Sequence, residues 1–215
     1  MSKVISILGS GQVAKSLSLG FLKHGYPVIM GTSHPDRLQA ELKENLSAVK
    51  VATFAEAAKE GQIVVLAVKG LGAEAIFSEV KEHLSGKTVI DVTNPIAEAA
   101  PENGVLKFFT SLDESLLERL QKINPQAHLV KAFNSVGSHL MVNPDFGGLR
   151  PTMFICGDDP EAKREVSEIL EAFSWEVEDM GGRQAARAIE PLCMLYCIPG
   201  LLREQWQQAF KFLKK

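Results

Sequence analysis

Six residues near the N-terminus, Gly9-Ser10-Gly11-Gln12-Val13-Ala14, constrain this chain more than any other feature. They follow a β-branched run, Lys3 to Leu8, and precede apolar residues at helical spacing, Ala14, Leu17, Phe21 and Leu22. Glycines set between a strand and a helix match the dinucleotide fingerprint, with alanine in place of the third glycine. Gly9 allows the tight turn, and Gly11 lets the backbone approach a pyrophosphate. The helix opening near Gln12 then points its unpaired amides and positive dipole end at the phosphates. The same string can serve only as a strand-to-helix turn, but its place at the start of a β-α-β unit favours binding.

The rest of the chain repeats that alternation. Strand patterns occur at Tyr26 to Met30, Val49 to Val51, Ile63 to Val68, Thr88 to Val92 and His128 to Ala132. Helical patterns lie between them, from Pro35 through Leu38 and Leu42, over Phe54 to Lys59, Glu74 to His83 and Glu114 to Ile123. Strands alternating with helices predict an α/β fold with a doubly wound parallel sheet, Rossmann in type, over residues 1–150. Residues 151–215 read as a small C-terminal α/β and helical extension packed on it. Its parts are a strand at Met153 to Cys156, a helix at Pro160 to Phe173, a strand at Trp175 to Asp179, and a helical stretch from Gln184 to Leu213 bent at Pro191 and Pro199.

The end of the second strand indicates which dinucleotide is bound. NAD sites carry a carboxylate there, about 20 residues past the glycines, to hold the ribose hydroxyls. Here the residues are Gly31-Thr32-Ser33-His34, with Arg37 one turn on. Thr32 and Ser33 can donate hydrogen bonds, Arg37 presents a planar fork suited to phosphate, and His34 can gain a proton beside that charge. NADP is therefore expected over NAD, unless the strand runs far enough to bring Asp36 to the ribose. Thr32 and Ser33 can also cap the following helix, with Arg37 a solvated surface residue.

In an open parallel sheet the carboxyl ends of the strands face the ligand crevice. That rule adds Ala67, Val68 and Lys69 from one strand end and Asn94 and Pro95 from the next. At a third end, Phe133 is a candidate to stack near the nicotinamide and Asn134 to bond its carboxamide; core packing is the equal alternative for Phe133. No nucleophile elbow, metal motif or phosphate loop of the Walker kind occurs, so catalytic side chains are not identified. Lys69, Lys131 and Glu190 are the charged residues to test. Hydride transfer between two cofactors needs no side-chain acid, and positioning carries most of the rate.

Composition narrows the partners. A net charge of −3 with basic residues scattered among acids offers no field for nucleic acid. No apolar run reaches the roughly 20 residues of a membrane span, and no basic leader precedes the first strand, so a cytoplasmic protein without a membrane partner is expected. Three cysteines, Cys156, Cys193 and Cys197, suit a reducing compartment, and no metal site is expected of them. Leu192, Leu195, Leu201, Leu202 and Trp206 make the terminal stretch more apolar than a tail requires. They form either a homodimer contact or packing on the chain's own body.

With these motifs in place, the chain resembles the deazaflavin-dependent NADP reductases and the related oxidoreductase domain of six-transmembrane metalloreductases. The resemblance rests on Gly9 to Ala14, on Gly31-Thr32-Ser33-His34-Pro35, on Asp91-Val92-Thr93-Asn94-Pro95, on Lys131-Ala132-Phe133-Asn134 and on Cys156-Gly157-Asp158-Asp159. It implies an NADP-binding Rossmann domain, dimeric association and hydride transfer to a flavin or deazaflavin, with the Thr32 to Arg37 turn holding the 2′-phosphate. The turn has His34 where arginine is usual in that family. Two other readings of the fold remain open: a small-substrate dehydrogenase or imine reductase of the β-hydroxyacid type, and a non-enzymatic NADP sensor.

Overall fold

The computed structural model describes residues 2–42 and 46–215. Its main sheet has six parallel strands: β1 (Ile5–Leu8), β2 (Val28–Gly31), β3 (Lys50–Ala52), β4 (Ile63–Leu66), β5 (Thr88–Asp91) and β6 (His128–Lys131), in spatial order β3-β2-β1-β4-β5-β6. The order reverses between β1 and β4, which opens a crevice above their carboxyl ends. Every residue of β1, β2 and β4 is buried, as expected of parallel strands covered on both faces. The crossovers are α1 (Gln12–Lys23), α2 (Pro35–Glu41), α3 (Phe54–Glu60), α4 (Gly70–Val80) and α5 (Leu116–Ile123).

Local chemistry fixes where these helices begin. In α3 the Thr53 hydroxyl accepts the Glu56 amide while the Glu56 carboxylate accepts the Thr53 amide, and Ser115 and Glu118 repeat this capping box at α5. α4 begins at Gly70, four residues before the periodicity suggests, because the β4 strand ends early and the glycines of Gly70-Leu71-Gly72 disguise the first turn. A Cβ on Gly70 would lie 2.0 Å from the Asn94 carbonyl oxygen, so glycine alone permits this close approach of α4 to the β5 loop.

The extension holds β7 (Thr152–Ile155), α6 (Pro160–Ala172) and β8 (Glu176–Asp179) as a second, two-stranded parallel sheet. An antiparallel bridge between Lys131 and Cys156 joins it to the edge of the main sheet. Phe21, Phe133, Phe173 and Trp175 share one buried cluster, so the sheet and the extension have a common core.

The last stretch differs from expectation in two ways. A 3₁₀ turn, α7 (Ala186–Ile189) and α8 (Pro191–Arg203) follow one another directly, and Pro191 falls in the first turn of α8 where a proline costs little. The helical run Arg183–Arg203 thus reaches 21 residues, and an 18-residue window within it has a mean hydropathy of 1.3, which by length and composition alone suffices to cross a membrane; Glu190 and the two prolines hide this in the sequence. Helix then stops at Arg203. Glu204 takes a left-handed conformation, and the chain returns without helix so that the Thr152 amide donates to the Phe210 carbonyl.

Candidate functional site

A cavity of about 730 Å³ lies over the carboxyl ends of β1, β2, β4 and β5. Its floor is the turn Gly9, Ser10, Gly11, Gln12 and Val13. Thr32 and Ser33 form one end, and Ala67, Val68 and Lys69 with Asn94 form the wall toward the other. The volume is that of an ordinary ligand site.

The glycine turn is built for close approach. Gly9 has φ +140°, and a Cβ there would sit 2.2 Å from the Ala67 carbonyl oxygen. Gly11 meets nothing within 4 Å, so a side chain there would project into open space on the cavity floor. No side chain caps α1, and its first amides remain available at the cavity. A 12-residue helix with its N-terminus open onto a glycine-floored cavity fits a pyrophosphate.

At the β2 end no carboxylate among the described residues lines the cavity. Among the lining residues Lys69 is the one cation and Glu98 the one acid, and Glu98 lies in the loop after β5. Because β2 ends at Gly31, Asp36 falls in the first turn of α2, outside the lining. Thr32 is buried, and its hydroxyl accepts the His34 amide at 3.3 Å, so it shapes the turn as well as facing the cavity. Ser33 Oγ lies 2.9 Å from His34 Nδ1. His34 and Arg37 are exposed beside the cavity without lining it, and Arg37 Nε donates to Glu41 Oε1 at 2.7 Å.

Three further candidates stand away from the cavity. Phe133 has φ +60°, and this turn sends its buried ring into the core against Phe173, 6.2 Å between centroids, with no stacking position over the cavity. Asn134 is buried one layer behind: its Nδ2 donates to Asn94 Oδ1 and to the Ile189 carbonyl, and its own carbonyl accepts Asn94 Nδ2. Pro95 is buried behind Asn94. Phe54, Gly70, Leu71, Val92, Thr93, Ile96, Ala97 and Glu98 complete the lining, and sequence reasoning missed them. Gly70 and Leu71 were within reach of the strand-end rule, since they follow Lys69 directly. The Ile96 to Glu98 loop carries no periodic or motif signal.

Lys131 and Glu190 belong to a buried network beneath the β5 end. Lys131 Nζ is 2.7 Å from Asp91 Oδ2 and 2.9 Å from Glu190 Oε1, with all three side chains 0 to 2% exposed. It also donates to the Thr93 carbonyl at 3.0 Å. Burial alone would lower the lysine pKa, but the two carboxylates outweigh it and hold the ammonium firmly charged. Glu190 in turn accepts the Leu116 and Leu117 amides, 3.0 Å each, and so caps α5. Neither Lys131 nor Glu190 touches the cavity. Among the described residues no three His, Cys, Asp or Glu side chains come together as a metal site. The thiol of Cys156 is pushed up to about 12 by burial.

Comparison with known proteins adds three findings. Residues 4–95 match the family model described as NADP oxidoreductase, coenzyme F420-dependent. The F420-dependent NADP reductase of Methanothermobacter marburgensis is 27% identical over 204 residues, 90% of each chain, and metalloreductase STEAP3 of Rattus norvegicus is 31% identical over 202 residues, 92% of this chain. The chain spans only 38% of that metalloreductase. A crystallised Arthrobacter sp. FB24 protein with the provisional name F420-dependent NADP-reductase superposes with a TM-score of 0.92 at 27% identity, covering 99% of this chain and 100% of that one. An imine reductase from Myxococcus stipitatus shares the fold at 16% identity and a TM-score of 0.68, and this chain covers 64% of it.

Proposed function

We propose, from the match of residues 4–95 to the NADP oxidoreductase, coenzyme F420-dependent, family model, that the protein is an oxidoreductase binding NADPH in its cavity and passing hydride to a flavin, deazaflavin or similar small acceptor. The observation that carries the reading is the open N-terminus of α1 over Gly9 and Gly11, continued to a β2 end that offers hydroxyls and, among the described residues, no carboxylate. Gly9 to Val13 would hold the pyrophosphate, Thr32 and Ser33 the 2′-phosphoribose with Arg37 swinging in from α2, and Ala67 to Lys69 with Asn94 the nicotinamide half. The cofactor supplies the hydride. The protein supplies alignment, and an acceptor laid against the nicotinamide needs no proton from a side chain in the hydride step.

The imine reductase alternative rests on likeness of fold alone, at 16% identity. The sensor alternative predicts cofactor binding without turnover. Steady-state NADPH oxidation with FMN, FAD and coenzyme F420 tests the proposal: oxidation above background with one acceptor supports it, and binding with no turnover for any of them points to the sensor. Exposed Leu195, Leu201 and Leu202 on α8 support association of two copies through that helix; a monomer peak in sizing at micromolar concentration would remove that part.

A further inference from the structure

Thr93 is gripped at each of its polar groups. Its amide and hydroxyl both donate to Asp91 Oδ1, at 2.9 and 2.7 Å, and its carbonyl accepts Lys131 Nζ. The next residue, Asn94, is fixed through its side chain by Asn134 and through its carbonyl, which accepts the Ile96 amide at 2.9 Å. Both Thr93 and Asn94 line the cavity, whereas Asp91 and Lys131 are wholly buried below them.

The order of strands assigns this grip to one half of a ligand. Thr32 and Ser33 follow β2, the glycine turn follows the adjacent β1, and Thr93 and Asn94 follow β5, two strands further on. With pyrophosphate on α1 and the adenosine ribose at β2, the nicotinamide half runs toward β5. Lys131 faces two carboxylates, and the second is balanced by the amides at the start of α5. Buried networks of this kind add little net stability, but when satisfied they hold one geometry.

We propose that Lys131 and Glu190 are positioning residues: acting through Asp91, they fix Thr93 and Asn94 in the arrangement that receives the nicotinamide half of the dinucleotide. The proposal rests on reading the cavity as an NADP site. It also makes α8, through Glu190 at its start, part of the cofactor-aligning machinery.

The test separates the two halves of the ligand. Wild type, Glu190→Gln and Lys131→Met are titrated by calorimetry with NADPH and with 2′,5′-ADP, which lacks the nicotinamide, and bound NADPH fluorescence is recorded. The expected result is 2′,5′-ADP affinity within about twofold of wild type, NADPH affinity about tenfold weaker, and an altered nicotinamide emission. Should Glu190→Gln not fold, Glu190→Asp is read in the same way, because it keeps the charge but withdraws it by one methylene. Equal losses for both ligands, or no loss for either, overturn the positioning role while leaving the cofactor reading intact. A wild type that binds neither ligand overturns both.

Discussion

Arg37 and Glu41 form an ion pair one helical turn apart on α2, and Glu41 Oε2 also lies 3.5 Å from Lys15 Nζ on α1. The guanidinium expected to meet a 2′-phosphate is therefore already engaged by a carboxylate, whose own pKa it lowers by hydrogen bonding. The pair is exposed and weak, so a phosphate dianion can displace it. Arg37→Ala should weaken NADPH binding about tenfold and leave NADH unchanged, and Glu41→Gln should tighten NADPH binding by about two- to threefold at low salt. Calorimetry with both cofactors checks this; equal effects on NADPH and NADH would move the phosphate away from α2.

The two glycines of the turn should fail differently. Gly9→Ala places a methyl against the Ala67 carbonyl in a backbone conformation that L residues avoid, and should cost at least about 2 kcal/mol of stability. The Cβ of Gly11→Val meets no neighbouring atom within 4 Å, so the melting temperature should hold while NADPH affinity falls more than about tenfold. Thermal melting beside cofactor titration reads both; an unaltered affinity in Gly11→Val would place the pyrophosphate elsewhere.

Glu118 on α5 accepts a forked contact from Arg187 of α7, 2.6 Å from Nη2 and 2.9 Å from Nε. The guanidinium bonds bring its pKa down from 4.5 to about 2, against burial, with the Ser115 amide and hydroxyl helping. A folded-state pKa below the unfolded one stabilises in full above about 4.5, and the contribution disappears as pH falls through about 2. Arg187→Met should thus melt below wild type at pH 6, with the gap closing as pH drops toward 2. A gap constant from pH 6 to pH 2.5 would assign the loss to packing.

Gly200 on α8 lies under Trp206, and a Cβ there would be 2.3 Å from the indole ring. Gly200→Ala gains about 1 kcal/mol in helix propensity but overpacks the contact, which costs about 1–3 kcal/mol. The expected outcome is a displaced Trp206, seen as red-shifted emission over the constant signal of buried Trp175, and a melting temperature equal to or below wild type. A stabilised variant with unshifted emission would show that the tail yields without loss.

Much of this was legible in the chain because strands buried on both faces and helices with one apolar face leave different periods. The glycine turn and the Thr32-Ser33 strand end could be placed at the cavity from strand order alone. Phe133 could not, since its aromatic type suits a pocket wall and a core equally, and only its left-handed backbone decides between them. The walls at Phe54, Leu71 and Ile96 were hidden for the same reason: an apolar residue at a helix start or in a loop carries no mark of which side it faces. The spacing of Trp206 and Phe210 imitates a helix continuing from α8, but their burial against Gly200 and β7 requires the chain to turn back.

The cap on α5 comes from far along the chain. The Leu116 and Leu117 amides find their acceptor 74 and 73 residues later, in Glu190, which is also the second counter-ion of Lys131. A nascent chain that has emerged only as far as residue 150 therefore has all six strands of the main sheet, but the Leu116 and Leu117 amides lack their carboxylate acceptor and Lys131 has one counter-ion in place of two. Its sheet edge at β6 also lacks the Cys156 bridge. The boundary near residue 150 separates two sheets that share one buried core, and the charge network beneath the cavity is complete only when residues 151–215 have joined the body.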